Sequence, residues 1–190
     1  MRIIGGEARS RMIDAPRGMD TRPTQDKVRE SLFNILQGKI EGRSVLDLFA
    51  GSGALGLEAL SRGAADAVFV DKSRQAAKVI RENIERLGYG SNAQVVCSDW
   101  SLALGTQSYY ERNVFDLVFM DPPYRMANTG EMCDRMLERG ILAADALIVI
   151  EHALATPPRP GGRFRVTDTR RYGDTGITFL RLAEKEETDG

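Results

Sequence analysis

The sequence is poor in the residues that build metal centres and covalent staples. Its 190 residues include one histidine, His152, and two cysteines, Cys97 and Cys133, with no CxxC spacing. A single histidine excludes multi-histidine metal sites. Two cysteines so placed supply neither a disulfide framework nor a zinc site, which fits a reducing cytoplasm. As a lone base His152 is conceivable, but a surface or hydrogen-bonded histidine is the ordinary reading. No apolar run is long enough to cross a membrane, and the opening "MRIIGGEARSR" lacks the apolar core of a signal peptide. Repeats and low-complexity linkers are also absent. With 42% hydrophobic and 28% charged residues the composition is that of a soluble globular protein, long enough to bury one good core.

An excess of one charge is missing too. The net charge is −1, so the chain is no polycation. Arginines nevertheless gather at both ends: Arg2, Arg9, Arg11, Arg17, Arg22 and Arg29 with Lys27, then Arg159, Arg163, Arg165, Arg170, Arg171 and Arg181. Such ends can form one face for a polyanion, or be ordinary solvated side chains. The terminal "EKEETDG" is acidic, and residues 184–190 are expected to be a disordered tail.

Residues 1–23, rich in Gly and Arg with Pro16 and Pro23, read as an arm or short hairpin, and residues 24–183 as one domain. Thr24 is placed to cap a helix carrying Val28, Leu32, Ile35 and Leu36 on one face and ending at Gly38. An alternation follows: strand 44–48, helix 54–62, strand 67–70, a helix from Ser73 to Gly88, strand 94–97, strand 115–120, helix 131–139 and strand 146–150. Segments 163–169 and 175–181 read as an antiparallel pair about "RRYGD". Strand–helix alternation with near-continuous apolar strands predicts an α/β fold whose mostly parallel sheet has helices on both faces.

In such sheets ligands bind at the carboxyl ends of the strands. Asp47, Asp71, Asp99 and Asp121 each stand at or just past such an end. The loop Gly51-x-Gly53-x-x-Gly56, followed by Asp71, matches the dinucleotide fingerprint. Asp47 argues against that use, because its charge would repel a pyrophosphate at the helix N-terminus. It would attract a ligand bearing an ammonium and a sulfonium, as S-adenosylmethionine (SAM) does. Gly51 and Gly53, with Phe49 and Ser52 in the same loop, then receive the methionine part. Asp71 matches a ribose diol, Asp99 an adenine amino group, and Lys72 or Trp100 borders the ring.

The segment "VFMDPPY" ends a buried strand in a carboxylate, two prolines and an aromatic. An exocyclic amine on a nucleobase is a poor nucleophile, since its lone pair is delocalised into the ring. Two acceptors on its N–H bonds favour a pyramidal nitrogen. Asp121 and the Pro122 carbonyl can be those acceptors, with Pro123 stiffening the loop. Tyr124 can stack on a base taken out of its helix.

"DLFAGSG" followed by "DPPY" resembles the amino-methylating class I methyltransferases. "RIIGG", "TRPTQDKVRESLFNIL", "LDLFAGSGALGLEALSRGA" and "RRYGDTGITFL" extend the resemblance to nearly the whole chain, to the RsmD family. It is loosest over residues 100–114. The resemblance implies a Rossmann-like seven-stranded sheet, SAM as donor, and a guanine N2 in 16S ribosomal RNA as acceptor. The expected partner is the 30S subunit or its precursor, since the near-neutral charge is weak for naked RNA. A monomer without metal or membrane attachment is expected. Asp47, Phe49, Gly51, Ser52, Gly53, Asp71, Lys72, Asp99 and Trp100 are then the cofactor set, and Asp121, Pro122, Pro123 and Tyr124 the catalytic set. Arg9, Arg11, Arg22 and Thr24 are candidate RNA contacts, with residues 1–20 expected to matter for transfer and not for SAM.

Three rival readings stand beside this. A DNA amino-methyltransferase shares the chemistry but usually has an added recognition region. An NAD(P)-linked oxidoreductase follows from the glycine loop alone. A non-catalytic RNA-binding assembly factor would keep the fold without needing Asp121.

Overall fold

Seven strands form one sheet in the order β3-β2-β1-β4-β5-β7-β6. They are β1 (Ser44–Leu48), β2 (Asp66–Asp71), β3 (Ala93–Cys97), β4 (Phe115–Met120), β5 (Leu142–Ala153), β6 (Phe164–Tyr172) and β7 (Thr175–Leu182). The helices are α1 (Pro23–Ile35), α2 (Ala54–Ser61), α3 (Arg74–Leu87), α4 (Trp100–Gly105) and α5 (Thr129–Glu138). This computed structural model describes residues 1–18, 23–106, 114–123, 126 and 128–183, with only the backbone of Pro23 and Thr24. Strands β1 to β5 run parallel, and β7 enters antiparallel between β5 and β6.

The period-two alternation of strand side chains divides the core into two layers. Val45, Phe69, Phe119 and Val149 meet Phe33, Leu57 and Ile80 of α1, α2 and α3. Leu46, Val68, Val118 and Ile148 meet Leu104 of α4 and Met132 and Met136 of α5 on the opposite face. Two buried faces explain why the central strands read as continuous apolar runs. Ser73 accepts the N–H of Ala76 as the cap of α3, and Gly88 closes that helix at φ 83°.

Several boundaries differ from the sequence reading. α1 opens at Pro23, so Thr24 lies inside it and not at the cap. Proline's fixed φ and missing N–H suit a first helical position. α4, with no expectation from periodicity, is a six-residue turn that Asp99 starts by accepting the N–H of Ser101. β5 continues through Glu151 and His152, where the apolar run ends. The continuation holds because His152 is buried against β7, its Nε2 2.9 Å from Thr178 Oγ1. The turn inside "RRYGD" tightens to Gly173–Asp174, so β6 is longer than its apolar residues indicate.

The first residues form a small hairpin, with Arg2 bridged to Met12. Ile3, Ala8 and Ile13 enter the layer of α1, α2 and α3. Glu58, fully buried in α2, accepts the N–H groups of Ile4 at 2.8 Å and Gly5 at 2.7 Å and pairs with Arg62. Asn83 of α3 bonds the backbone of Asp14 on both its N–H and its carbonyl. Glu58 and Asn83, the buried polar residues that grip the hairpin, are thereby satisfied by the segment they hold.

Candidate active site

A cavity of about 460 Å³ opens at the carboxyl ends of β1, β2 and β4. Its described ionisable lining is acidic: Asp47, Asp71, Asp99, Asp121 and Glu151 against Arg29 and Lys72. Carboxylates on or just past five strands thus converge on one space.

Asp47 forms the floor. It points between the sheet and α2 and is 2% exposed, with Oδ2 accepting the N–H of Gly56 at 3.0 Å. Gly56 is required there, because a Cβ would stand 2.3 Å from the Phe69 ring. Burial pushes the Asp47 carboxyl up to about 7, the Gly56 N–H opposes that, and the charge of Asp71 adds to it. No cation of the described chain answers this carboxylate, which is costly for an ionised group out of water. A cationic ligand would relieve that cost. A phosphate would find a helix N-terminal donor already taken by a negative group.

Asp71 fixes the glycine loop. Its Oδ2 accepts the N–H of Gly51 at 2.9 Å and its Oδ1 that of Ser73 at 2.8 Å. The two bonds lock the rotamer and leave lone pairs facing the cavity. Above it the backbone turns through three left-handed residues: Phe49 at φ 82°, Gly51 at φ 57° and Gly53 at φ 78°. Glycine takes that conformation freely, whereas for an aromatic it is strained. Phe49 is held by its own N–H and that of Ala50, both donating to the Val70 carbonyl. Strain at a ligand-facing loop marks a position the fold over-determines. Ser52 is buried, its Oγ 3.4 Å from Met1 Sδ.

On the far side Asp99 accepts the N–H and hydroxyl of Ser101. These bonds hold its carboxyl below the usual range, with a smaller effect of Lys72. Trp100 is buried at the cavity wall with the Arg135 guanidinium 5.5 Å from its ring centroid. Lys72 lines the same edge.

Asp121 follows β4 and lies on the same side of the sheet as Asp47. Asp121 is exposed to the open cavity, and desolvation by the surrounding walls, then the charges of Glu151 and Asp47, push its carboxyl up to about 8. Pro122 and Pro123 line the cavity beside it. Tyr124 lies outside the described residues.

The model of a family described as conserved hypothetical protein 95 matches residues 1–181. The chain belongs to this family, the RsmD family. Ribosomal RNA small subunit methyltransferase D of Escherichia coli K12 is 42% identical over 151 residues, covering 80% of this chain and 74% of that one. The Bacillus subtilis protein YlbH is 37% identical over 182 residues, covering 95% of this chain and 98% of its own. Among solved structures, that of the Escherichia coli protein yhhF superposes with a TM-score of 0.83 at 36% identity, covering 97% and 99% of the two chains. The fold is the class I methyltransferase fold.

The cavity of this RsmD-family chain has residues that sequence reasoning passed over. Glu151, two residues before the end of β5, follows the apolar run 146–150 in sequence as Asp121 follows its own. Arg29 of α1 is 7% exposed; it donates to the Arg2 carbonyl at 2.7 Å and to Asp26 at 3.2 Å, and its Nε is buried without a partner. Met1 also lines the cavity, so the hairpin is part of its wall. Arg29 lies in the "TRPTQDKVRESLFNIL" segment, whereas Met1 and Glu151 lie in none of the segments that carry the resemblance.

Of the candidate RNA contacts, Arg9 is exposed. Arg11 donates to the carbonyls of Arg86 and Leu87 at the C-terminal end of α3, away from the cavity. Arg22 and the side chain of Thr24 lie outside the described residues, as does the 184–190 tail. Among the described residues no group of three or more His, Cys, Asp or Glu is arranged to hold a metal ion. No described helix is long and apolar enough to cross a membrane.

Proposed function

We propose that the protein transfers a methyl group from SAM to the exocyclic N2 of a guanine in small-subunit ribosomal RNA, within the assembled or assembling 30S particle. The observation that carries the reading is the buried Asp47 carboxylate under the first glycine of α2, in a cavity lined by further carboxylates. A donor with an ammonium and a sulfonium fits that field; a dinucleotide pyrophosphate does not. When bound, SAM supplies an electrophilic methyl group.

Asp47 and the loop from Phe49 to Gly53, with Ser52, hold the amino-acid end. Asp71 accepts the ribose hydroxyls and Asp99 the adenine amino group, between Lys72 and Trp100. Asp121 and the Pro122 carbonyl accept the two N–H bonds of the target amine, Pro123 keeps that loop rigid, and Tyr124 stacks on the base. Holding the amine in line with the methyl supplies several kcal/mol of the rate, on the scale of about 7–11 kcal/mol for well-oriented reactions. Arg9, Arg11, Arg22 and Thr24 contribute to RNA placement. The protein acts as a cytoplasmic monomer.

The test incubates tritiated-methyl SAM with 30S particles, free 16S rRNA and duplex DNA from cells lacking the enzyme, with Asp121→Ala as control. Label recovered from 30S as N2-methylguanine and absent with the variant is the expected result. Label in DNA would move the substrate to an amino group there. Binding of SAM with no label in any substrate would favour an assembly factor.

A further inference from the structure

A second cavity of about 350 Å³ adjoins the first. Four residues line both: Pro122, Pro123, Met126 and Glu151. Glu151 is the one ionisable side chain among the four. It follows the Met120↔Ile150 pair of the parallel β4–β5 ladder, which sets it beside Asp121 on the adjacent strand. Its pairing on the other side, with Ile177 of β7, fixes its backbone from both neighbours. None of the described residues hydrogen-bonds its carboxylate, and burial alone raises its pKa. A second carboxylate placed next to Asp121 disfavours the charge of both, and the packing of β5 gives no reason for it.

The chemistry of the acceptor supplies one. Beside the N2 amino group of guanine lies N1–H, a second donor. Beside the amino groups of adenine and cytosine the ring nitrogen is an acceptor. Two neighbouring carboxylates therefore complement the guanine edge and repel the other two, so the repulsive contact contributes as much to selectivity as the attractive one.

We infer that Glu151 is the specificity residue for the target base, its carboxylate accepting the guanine N1–H while Asp121 and the Pro122 carbonyl hold the N2 amino group. The second cavity, bounded by Glu151 and Pro123, is the place of the base, and the first is the place of the donor. This inference rests on the guanine N2 reading above.

The experiment replaces the mapped target guanine in a reconstituted 30S particle by 2-aminopurine, which keeps the 2-amino group but has an unprotonated N1. The wild-type enzyme is expected to favour guanine by about 10- to 100-fold in kcat/KM. In Glu151→Gln the amide can turn its NH2 toward an unprotonated N1, so the preference should fall to within about threefold, with the SAM Kd changing far less than the turnover of guanine. A wild type that methylates 2-aminopurine as well as guanine would overturn the inference. So would an undiminished preference in Glu151→Gln, or a SAM Kd that rises in step with the loss of turnover. A wild type that puts no label in guanine would instead refute the reading on which the inference rests.

Discussion

Asp71 and Gly51, in β2 and the loop after β1, are joined by a 2.9 Å hydrogen bond from the glycine N–H to the carboxylate. The residue proposed to take the ribose also shapes the loop proposed to take the methionine. Removing it should therefore cost more than one ligand contact. Asp71→Ala is expected to weaken SAM binding at least about 100-fold, from charge-assisted bonds worth about 1.5–3 kcal/mol each. Asp71→Asn keeps an acceptor for one N–H and should lose about 10-fold. Titration calorimetry of the two variants checks the order; equal losses would show that loop geometry is not what Asp71 contributes.

Asp47 sets stability against binding. Its folded carboxyl is raised to about 7 from an ordinary value of 3.8. The native state thus binds the proton more tightly than the unfolded chain. The ionised group destabilises the empty protein fully above pH 7, progressively less as pH falls, and not at all below about 4. Asp47→Asn retains an oxygen for the Gly56 N–H and removes the charge. At pH 8 it should be more stable than wild type by about 1–4 kcal/mol, at 1.36 kcal/mol per pKa unit, and should not bind SAM. The gain should vanish near pH 4. Denaturant unfolding at the two pH values measures it. For the wild type, SAM affinity should drop as pH falls below 7, because the cation binds the carboxylate and not the acid.

Asp121 should impose an acid limb on transfer. Ionised, it is the stronger acceptor for the amine and can take the proton released on methylation, and its carboxyl in the empty site is pushed up to about 8 by desolvation, Glu151 and Asp47. Activity therefore rises with pH through that value. In kcat/KM for SAM the limb reports the empty site, and the titration belongs to the Asp121–Glu151 pair. With a sulfonium bound, the carboxylate is favoured and the limb in kcat should move to lower pH. Glu151→Gln removes one neighbouring charge and should lower the limb in kcat/KM. A pH profile identical in both parameters would place the titrating group elsewhere.

The parallel core was legible because Leu46, Val68 and Val118 on one face, and Val45, Phe69 and Phe119 on the other, leave no polar break in β1, β2 and β4. The rim acids were legible for a related reason: a carboxylate at the end of an apolar run stands out. Glu151 also ends an apolar run, 146–150, but only the sheet order, which puts β5 beside β4, brings it next to Asp121. Asp99 was visible as an acid but not as the cap of α4, a helix too short for periodicity. The arm was least legible. Its apolar residues, Ile3, Ala8 and Ile13, follow neither helical nor strand spacing, and its partners Glu58 and Asn83 lie in distant helices.

That attachment changes what loss of the arm should do. From sequence, residues 1–20 are expected to matter for transfer and not for SAM, but Met1 lines the donor cavity and Glu58 is fully buried beneath Ile4 and Gly5. Glu58→Ala would strand two N–H groups and the Arg62 guanidinium, at a cost of about 3–5 kcal/mol for breaking a buried charged pair. Gly6→Ala tests the same seam without touching charge. Gly6 holds φ 75°, and a Cβ there would lie 1.8 Å from the Ser61 carbonyl oxygen. Both variants should lower the denaturation midpoint and weaken SAM binding together, because the cavity wall moves with the hairpin. Deletion of residues 1–14 should do so more strongly. An unchanged midpoint with SAM binding intact would mean that the hairpin is an appendage and that the cavity stands without it.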